Sequence, residues 1–147
     1  MCIPMERRAF IQRLPVVSAG LAIASSTALT GCAGVSYVTP LVAPEGLVLP
    51  RSRLEEAGGV FLQAPGMERP IYVRLLESGD VVAVLASCTH NGCQPEPLGD
   101  RLTCPCHGSE FSFTGAVLNG PAERPLTRFE VLEDGDRLIV VARGDTP

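Results

Sequence analysis

Short apolar runs separated by turn residues make up most of the chain from residue 51 onward. The runs 71–77 and 81–87 are rich in Val, Leu and Ile, and a Ser-Gly-Asp turn at 78–80 separates them. Two such runs joined by a short polar turn are typical of a β-hairpin. An antiparallel pair of strands is therefore predicted in the middle of the chain.

A second hairpin is predicted near the C-terminus, where residues 126–132 and 137–142 flank the acidic turn 133–136. Phe129 and Val131 alternate there with charged neighbours, as in a strand with one buried face. Shorter elements are predicted as an edge strand at 46–49, strands at 102–103, 110–113 and 117–119, and one helical turn at 52–58. Many short strands with Gly and Pro turns indicate an all-β fold, an antiparallel sandwich or barrel.

The N-terminus has a different pattern. Within residues 1–31, the pair Arg7-Arg8 precedes an uncharged apolar run, and together they resemble a twin-arginine export signal. The tetrapeptide Leu29-Thr30-Gly31-Cys32 resembles a lipobox, in which cleavage leaves Cys32 as the lipidated first residue. The apolar run, 18 residues from position 14, also approaches the length of a transmembrane helix, so a retained N-terminal anchor is the alternative.

Residues 32–50 are predicted to form a linker after the lipidated Cys, because Pro40, Pro44 and Pro50 interrupt a stretch of small and apolar residues. Such a tether is partly extended and lets a domain move relative to its anchor. The folded domain is assigned to residues 51–147. With either anchor, it is expected on the periplasmic, outer face of the cytoplasmic membrane.

The net charge of the chain limits the classes of partner that it is expected to bind. Its 12 basic residues, all Arg, and 16 acidic residues give a net charge of −4. Residues 1–31 carry three Arg and one Glu, a net +2, so the remainder carries −6. An acidic protein is not expected to bind nucleic acid, since such binding relies on basic side chains. Electrostatic steering toward a basic redox partner is one interpretation, and an acidic surface without partner preference is the other.

The candidate chemistry lies in two stretches, Cys88-Thr89-His90-Asn91-Gly92-Cys93 and Cys104-Pro105-Cys106-His107-Gly108-Ser109. They contain both histidines of the chain and four of its six cysteines. Two thiolates on one iron and two imidazoles on the other describe a Rieske-type [2Fe–2S] centre. We assign Cys88 and Cys104 to one iron, and His90 and His107 to the other.

A structural zinc site and two unrelated disulfides are the alternatives. Zinc also takes two Cys and two His ligands, but its usual signature separates a Cys pair from a His pair. Here each stretch supplies both residue types, which favours the iron–sulfur interpretation.

The block 88–125 resembles the Rieske protein family, and within it the disulfide-containing, high-potential branch found in cytochrome bc-type quinol oxidoreductases. Besides the ligands, the matching positions are Thr89, Gly92, Pro105, Gly108, Ser109, Gly120, Pro121 and Ala122. The resemblance implies two cluster-binding loops at one end of the β-domain and one [2Fe–2S] cluster per chain. It also implies a disulfide between Cys93 and Cys106, a hydrogen bond from Ser109 to a bridging sulfide, and a cover over the cluster formed by residues 120–122.

Three features depart from the family pattern. Asn91 replaces the bulky apolar residue that usually follows the first His and shapes the docking tip. Phe111 replaces a Tyr whose hydroxyl donates toward a ligand sulfur in high-potential members. The stretch 91–103 between the loops is short for the respiratory branch.

The predicted function is electron transfer, as the iron–sulfur subunit of a membrane quinol–cytochrome oxidoreductase and not as a stand-alone enzyme. Expected partners are a cytochrome b or c, quinol, and the membrane through a lipid or an N-terminal anchor. The alternative is a lipid-tethered carrier or small subunit of another periplasmic oxidoreductase, similar to arsenite oxidase. Asn91 and Phe111 favour this alternative.

Overall fold

The computed structural model describes residues 35–142. Its elements are β1 (Ser36–Val38), β2 (Leu41–Ala43), β3 (Gly46–Pro50), α1 (Arg51–Ala57), β4 (Gly59–Leu62), β5 (Ile71–Leu75), β6 (Val81–Leu85), β7 (Glu96–Leu98), β8 (Arg101–Thr103), β9 (Glu110–Phe111), β10 (Val117–Asn119), β11 (Arg128–Asp134) and β12 (Arg137–Val141). This part of the chain is therefore nearly all β, as the sequence pattern predicts.

Eight strands form the larger sheet, in the order β1-β4-β5-β6-β11-β12-β3-β2. Neighbouring strands run antiparallel except β1 and β4, which are parallel. β1 and β2 occupy opposite edges, although only Thr39 and Pro40 separate them in sequence. Three Cα–Cα steps span at most about 11 Å, so the two edges lie close together and the sheet curls into a barrel-like body.

The smaller sheet is antiparallel and has the order β10-β9-β8-β7. Its strands come from the segment between β6 and β11, which are neighbours in the larger sheet and pair Val84 with Arg128 and Ala83 with Phe129. The segment 86–127 is thus an insertion into one antiparallel pair of the larger sheet. Both Cys- and His-containing stretches belong to this insertion.

Two apolar clusters form the core. The first packs on the larger sheet and consists of Leu47, Leu49, Leu54, Val60, Leu62, Ala64, Ile71, Val73, Ala83, Leu138 and Val140. The second joins the larger sheet to the smaller one through Phe61, Tyr72, Leu102 and Phe111. Burial of each large apolar side chain stabilises the fold by about 1.5–3 kcal/mol. Cys88 and Cys104 belong to this second cluster, so these two of the four motif cysteines are anchored where the two sheets meet.

The predicted secondary structure is confirmed in two hairpins, one helical turn and the short strands at 102–103 (β8) and 117–119 (β10), whereas the strand predicted at 110–113 is shorter and ends at Phe111 (β9). β5 and β6 form the predicted central hairpin, and β11 and β12 form the C-terminal one. The helical turn is α1, which Gly58 caps at its C-terminal end with φ of 69°, a conformation that favours glycine. The sequence pattern leaves β4 and β7 unpredicted.

The segment 36–50 differs from the linker predicted there, because it carries three strands of the larger sheet. β3 lies between β12 and β2, and so it is not the predicted edge strand. Leu47, Val48 and Leu49 are all buried, so the apolar run outweighs the prolines that suggested a tether. The β-domain therefore begins before residue 51.

The structure leaves residues 1–34 and 143–147 undescribed, so the predicted export signal, the lipobox and Cys32 lie outside the described residues. Between residues 35 and 142, no helix is long and apolar enough to cross a bilayer.

Candidate metal centre

The first motif stretch, residues 88–93, follows β6 and is called loop 1. The Cys88 N–H donates to the Cys93 carbonyl at 2.8 Å, and the Gly92 N–H donates to the Cys88 carbonyl at 2.7 Å. Gly92 has φ of 71°, which residues with a Cβ rarely adopt. These bonds close the loop on itself, with Cys88 buried at its base and His90 exposed.

The second stretch, residues 104–109, follows β8 and is called loop 2. It repeats the closure of loop 1: the Cys104 N–H donates to the Ser109 carbonyl at 2.8 Å, and the Gly108 N–H donates to the Cys104 carbonyl at 3.0 Å. Gly108 has φ of 74°, and His107 is exposed. Each loop therefore has a buried Cys at its first position and a left-handed Gly at its fifth.

The two loops bring both histidines and two cysteines into one site. The ring centroids of His90 and His107 lie 4.8 Å apart, with the ring planes at 89°. Cys88 and Cys104 are free thiols, 2% and 1% exposed, and both belong to the apolar cluster where the two sheets meet. A pair of buried thiols and a pair of exposed imidazoles thus stand together.

The disulfide predicted between Cys93 and Cys106 is present, with an S–S distance of 2.05 Å, and it links loop 1 to loop 2. The sulfur atoms of these two residues and of Cys104 lie within 4.8 Å of one another. They do not form a metal site of three thiolates, because two of the three sulfurs are bonded to each other. Within residues 35–142, Cys88 and Cys104 are the thiols left to bind a metal.

The pKa values of the two free thiols are shifted in opposite directions. Burial acts to raise the pKa of Cys88, but hydrogen bonds from the His90 backbone N–H, the Cys104 thiol and the Ser109 hydroxyl outweigh it. The pKa of Cys88 therefore lies below its ordinary value. Burial raises the pKa of Cys104, and the neighbouring Cys88 raises it further. The donors gathered at Cys88 favour the thiolate, which is the form that binds metal.

A third segment, residues 120–124, is bonded to both loops. The Ala122 N–H donates to Ser109 Oγ at 3.0 Å in buried surroundings. Thr89 Oγ1 donates to the Arg124 carbonyl at 2.6 Å. The structure therefore brings residues 120–122, the predicted cover, against the site. The bond between Thr89 and Arg124 joins residues 35 positions apart, and no local sequence pattern predicts it.

The two residues that depart from the family pattern lie in different surroundings. Phe111 is fully buried in the apolar cluster that contains Cys88 and Cys104. Asn91 is exposed in loop 1 beside His90. One substitution therefore changes the buried side of the site, and the other changes the surface that a partner meets.

The donor set fits a [2Fe–2S] cluster. A Rieske centre needs two thiolates on one iron and two imidazoles on the other. Two thiols outside any disulfide and two imidazoles converge here from two loops, with hydrogen-bond donors already directed at one sulfur.

Fold and site together define a class of protein, a small β-domain that carries an iron–sulfur cluster for electron transfer. Comparison with known families narrows this class. Residues 46–130 match the Rieske [2Fe-2S] domain, and the chain belongs to this family.

Individual relatives agree with this placement. The chain is 31% identical over 148 residues to the cytochrome b6-f complex iron-sulfur subunit of Chlorobaculum tepidum, across 95% of this chain and 78% of that protein. It is also 31% identical over 153 residues to the corresponding subunit of Synechococcus sp. strain JA-3-3Ab, across 92% and 86% of the two chains. The crystal structure of the plasma membrane Rieske protein PetC3 from Synechocystis PCC 6803 is similar, with a TM-score of 0.57 and 36% identity over 63% of this chain and 95% of that one. The chain is therefore a Rieske [2Fe–2S] electron-transfer protein.

Proposed function

We propose that Cys88 and Cys104 bind one iron of the cluster and that His90 and His107 bind the other. The observation that carries this assignment is the convergence of these four side chains from two loops with the same backbone closure. The disulfide between loops 1 and 2 occupies the other two cysteines of the motif, which supports the same assignment.

The bound cluster supplies one-electron transfer, and the surrounding residues set the conditions for it. The apolar cluster around Cys88 and Cys104 keeps water away from their sulfur atoms. The Ser109 hydroxyl and the backbone donors of loop 1 stabilise negative charge at the thiolate and so favour the reduced state. His90 and His107 are exposed, so a redox partner would meet the imidazoles first.

We further propose that the protein is the iron–sulfur subunit of a membrane quinol–cytochrome oxidoreductase. Its relatives carry the name cytochrome b6-f complex iron-sulfur subunit. A chain of a solved structure, that of the hyperthermophilic respiratory complex III, is similar with a TM-score of 0.52 and 25% identity, over 66% of this chain and 75% of that one. An iron-bound imidazole whose outer nitrogen has lost its proton would accept a hydrogen bond from a quinol hydroxyl and take up the proton that leaves with the electron, which suits quinol oxidation.

The proposed location is the periplasmic face of the cytoplasmic membrane. The twin-arginine pair and the lipobox that ends at Cys32 support export and lipid anchoring, and a retained N-terminal helix is the alternative anchor. The disulfide also supports export, since such bonds persist in oxidising compartments.

Purification of the full-length protein from gently solubilised membranes tests the proposed complex. We expect a b-type cytochrome to co-purify, and quinol to reduce the bound cluster. Co-purified molybdenum without cytochrome b would contradict this proposal. That result would support the alternative, in which the protein is the small subunit of another periplasmic oxidoreductase. The exposed Asn91 and the hydroxyl-free Phe111 favour this alternative.

A further inference from the structure

The first strand of the domain is bonded to the residue that follows loop 1. Gln94 Nε2 donates to the Tyr37 hydroxyl oxygen at 2.6 Å and to Glu96 Oε1 at 2.9 Å. An amide nitrogen has two N–H groups, so both donors of Gln94 are used. Its side chain is therefore held at two points, one in the smaller sheet and one on β1.

Tyr37 is itself held against the barrel. Its ring packs on Phe61 with centroids 5.1 Å apart, and Phe61 packs on Tyr72 at the same distance. β1 pairs with β4 in a register that places Tyr37 opposite Phe61. Although Tyr37 is 57% exposed, its ring packs on the buried Phe61, which packs in turn on the buried Tyr72. Its hydroxyl is thus a fixed point on the larger sheet.

Gln94 can act on the metal centre through its neighbour Cys93. The Cys93 carbonyl accepts the hydrogen bond from the Cys88 N–H that closes loop 1. The Cys93 sulfur is bonded to Cys106 of loop 2. A displacement of residues 93–94 would therefore disturb both loops at once.

We propose that Tyr37 and Gln94 are positioning residues for the cluster, which clamp loop 1 to β1. The hydrogen bonds of the Gln94 side chain go to Tyr37 and Glu96, and its effect on the site is transmitted through Cys93. The inference rests on the ligand assignment proposed above. According to this proposal, β1 helps to hold the metal centre, although the sequence pattern places this strand in a linker.

The variant Tyr37→Phe removes the hydroxyl and keeps the ring on Phe61. In the full-length holoprotein, we expect loss of the visible cluster absorption in chelator to become about fivefold faster, the factor that corresponds to a hydrogen bond of about 1 kcal/mol. We also expect a broadened electron paramagnetic resonance spectrum, because loop 1 carries His90. Ser78→Ala is the matched control: it removes an exposed hydroxyl bond to Asp80 in the turn after β5 and should change neither readout.

A double variant makes the test specific to this bond. Tyr37→Phe combined with Gln94→Met should lose its cluster no faster than Gln94→Met alone, since both changes remove the same bond. If Tyr37→Phe lost its cluster at the wild-type rate and kept the wild-type spectrum, or if the two changes were additive in the double variant, the proposal that Tyr37 and Gln94 clamp loop 1 to β1 would be overturned. The wild-type spectrum, recorded first, tests the ligand premise separately, so an unchanged Tyr37→Phe variant counts against the clamp alone.

Discussion

At the scale of single residues, the groups around the two buried thiols control how readily the centre accepts an electron. Hydrogen bonds to cluster sulfur stabilise the more negative reduced state and raise the reduction potential. The Ser109 hydroxyl helps to lower the pKa of Cys88, whereas Phe111, buried in the same apolar cluster, has no hydrogen-bond donor. The potential should therefore lie within the Rieske span of roughly −150 to +300 mV, but below its top.

Substitution at these two positions should shift the potential in opposite directions. Phe111→Tyr should raise it and Ser109→Ala should lower it, each by about 40 mV, since a hydrogen bond of about 1 kcal/mol acts on a one-electron couple. Voltammetry of the full-length protein measures both changes. Phe113→Tyr is the control, because that ring packs beneath Arg74. An unchanged potential in a folded Phe111→Tyr variant would show that this ring does not face the sulfur atoms.

Candidate ligand residues could be named from sequence because histidine is rare in this chain. Both histidines fall in the two motif stretches, so few alternative ligand sets exist. The supporting contacts could not be predicted in the same way. Thr89 meets Arg124 across 35 positions and Gln94 meets Tyr37 across 57, and such pairs depend on how the two sheets pack.

At the scale of elements, the two loops act as one unit because a disulfide joins them. The bond between Cys93 and Cys106 spans a sequence separation of 13. In the chain-entropy model, a loop of this length stabilises the folded state by about 3 kcal/mol. The disulfide therefore holds loops 1 and 2 in a fixed relative position.

Removal of this disulfide should lower stability and weaken cluster retention. We expect the double variant Cys93→Ser, Cys106→Ser to lose about 3 kcal/mol of unfolding free energy, measured by denaturant titration with circular dichroism. The control is Ser112→Ala, which alters a hydrogen bond to Thr114 outside both loops. Mass spectrometry that found both thiols free in freshly isolated wild-type holoprotein would contradict the structural role of this bond.

The elements differ in how far the sequence predicts them. Alternation and turn residues predict β5, β6, β11 and β12, since both signals are local. The prolines near β1, β2 and β3 suggest a tether, but these strands gain their partners from distant parts of the chain. β7 contains Pro97 and pairs with β8 in a short hairpin, so its composition resembles a loop.

At the scale of the whole molecule, the proposed anchor would determine where this acidic domain works. Removal of residues 1–31 leaves a net charge of −6 in the sequence. A single acyl chain binds membranes only marginally, so stable anchoring through Cys32 requires several chains on that residue. Attachment through lipid should therefore survive a salt wash, whereas electrostatic attachment should not.

The variant Cys32→Ala should block processing at the predicted lipobox. We expect the wild-type protein to remain with the membrane after high-salt washing and to carry lipid by mass spectrometry. The variant should accumulate with its N-terminal segment uncleaved. Cleavage and anchoring of Cys32→Ala as in the wild type would exclude the lipobox and favour a different anchor.

The central claim is that two imidazoles and two thiolates hold the cluster. Electron nuclear double resonance of the reduced, untagged protein, grown with ¹⁵N-labelled histidine, tests it most directly. The chain has only two histidines, so each ¹⁵N coupling can arise only from His90 or His107. The account predicts two distinct ¹⁵N couplings in the wild type, and no Rieske spectrum in His90→Ala or His107→Ala. A cluster signal without ¹⁵N coupling, or a protein that contains zinc and no iron, would contradict it.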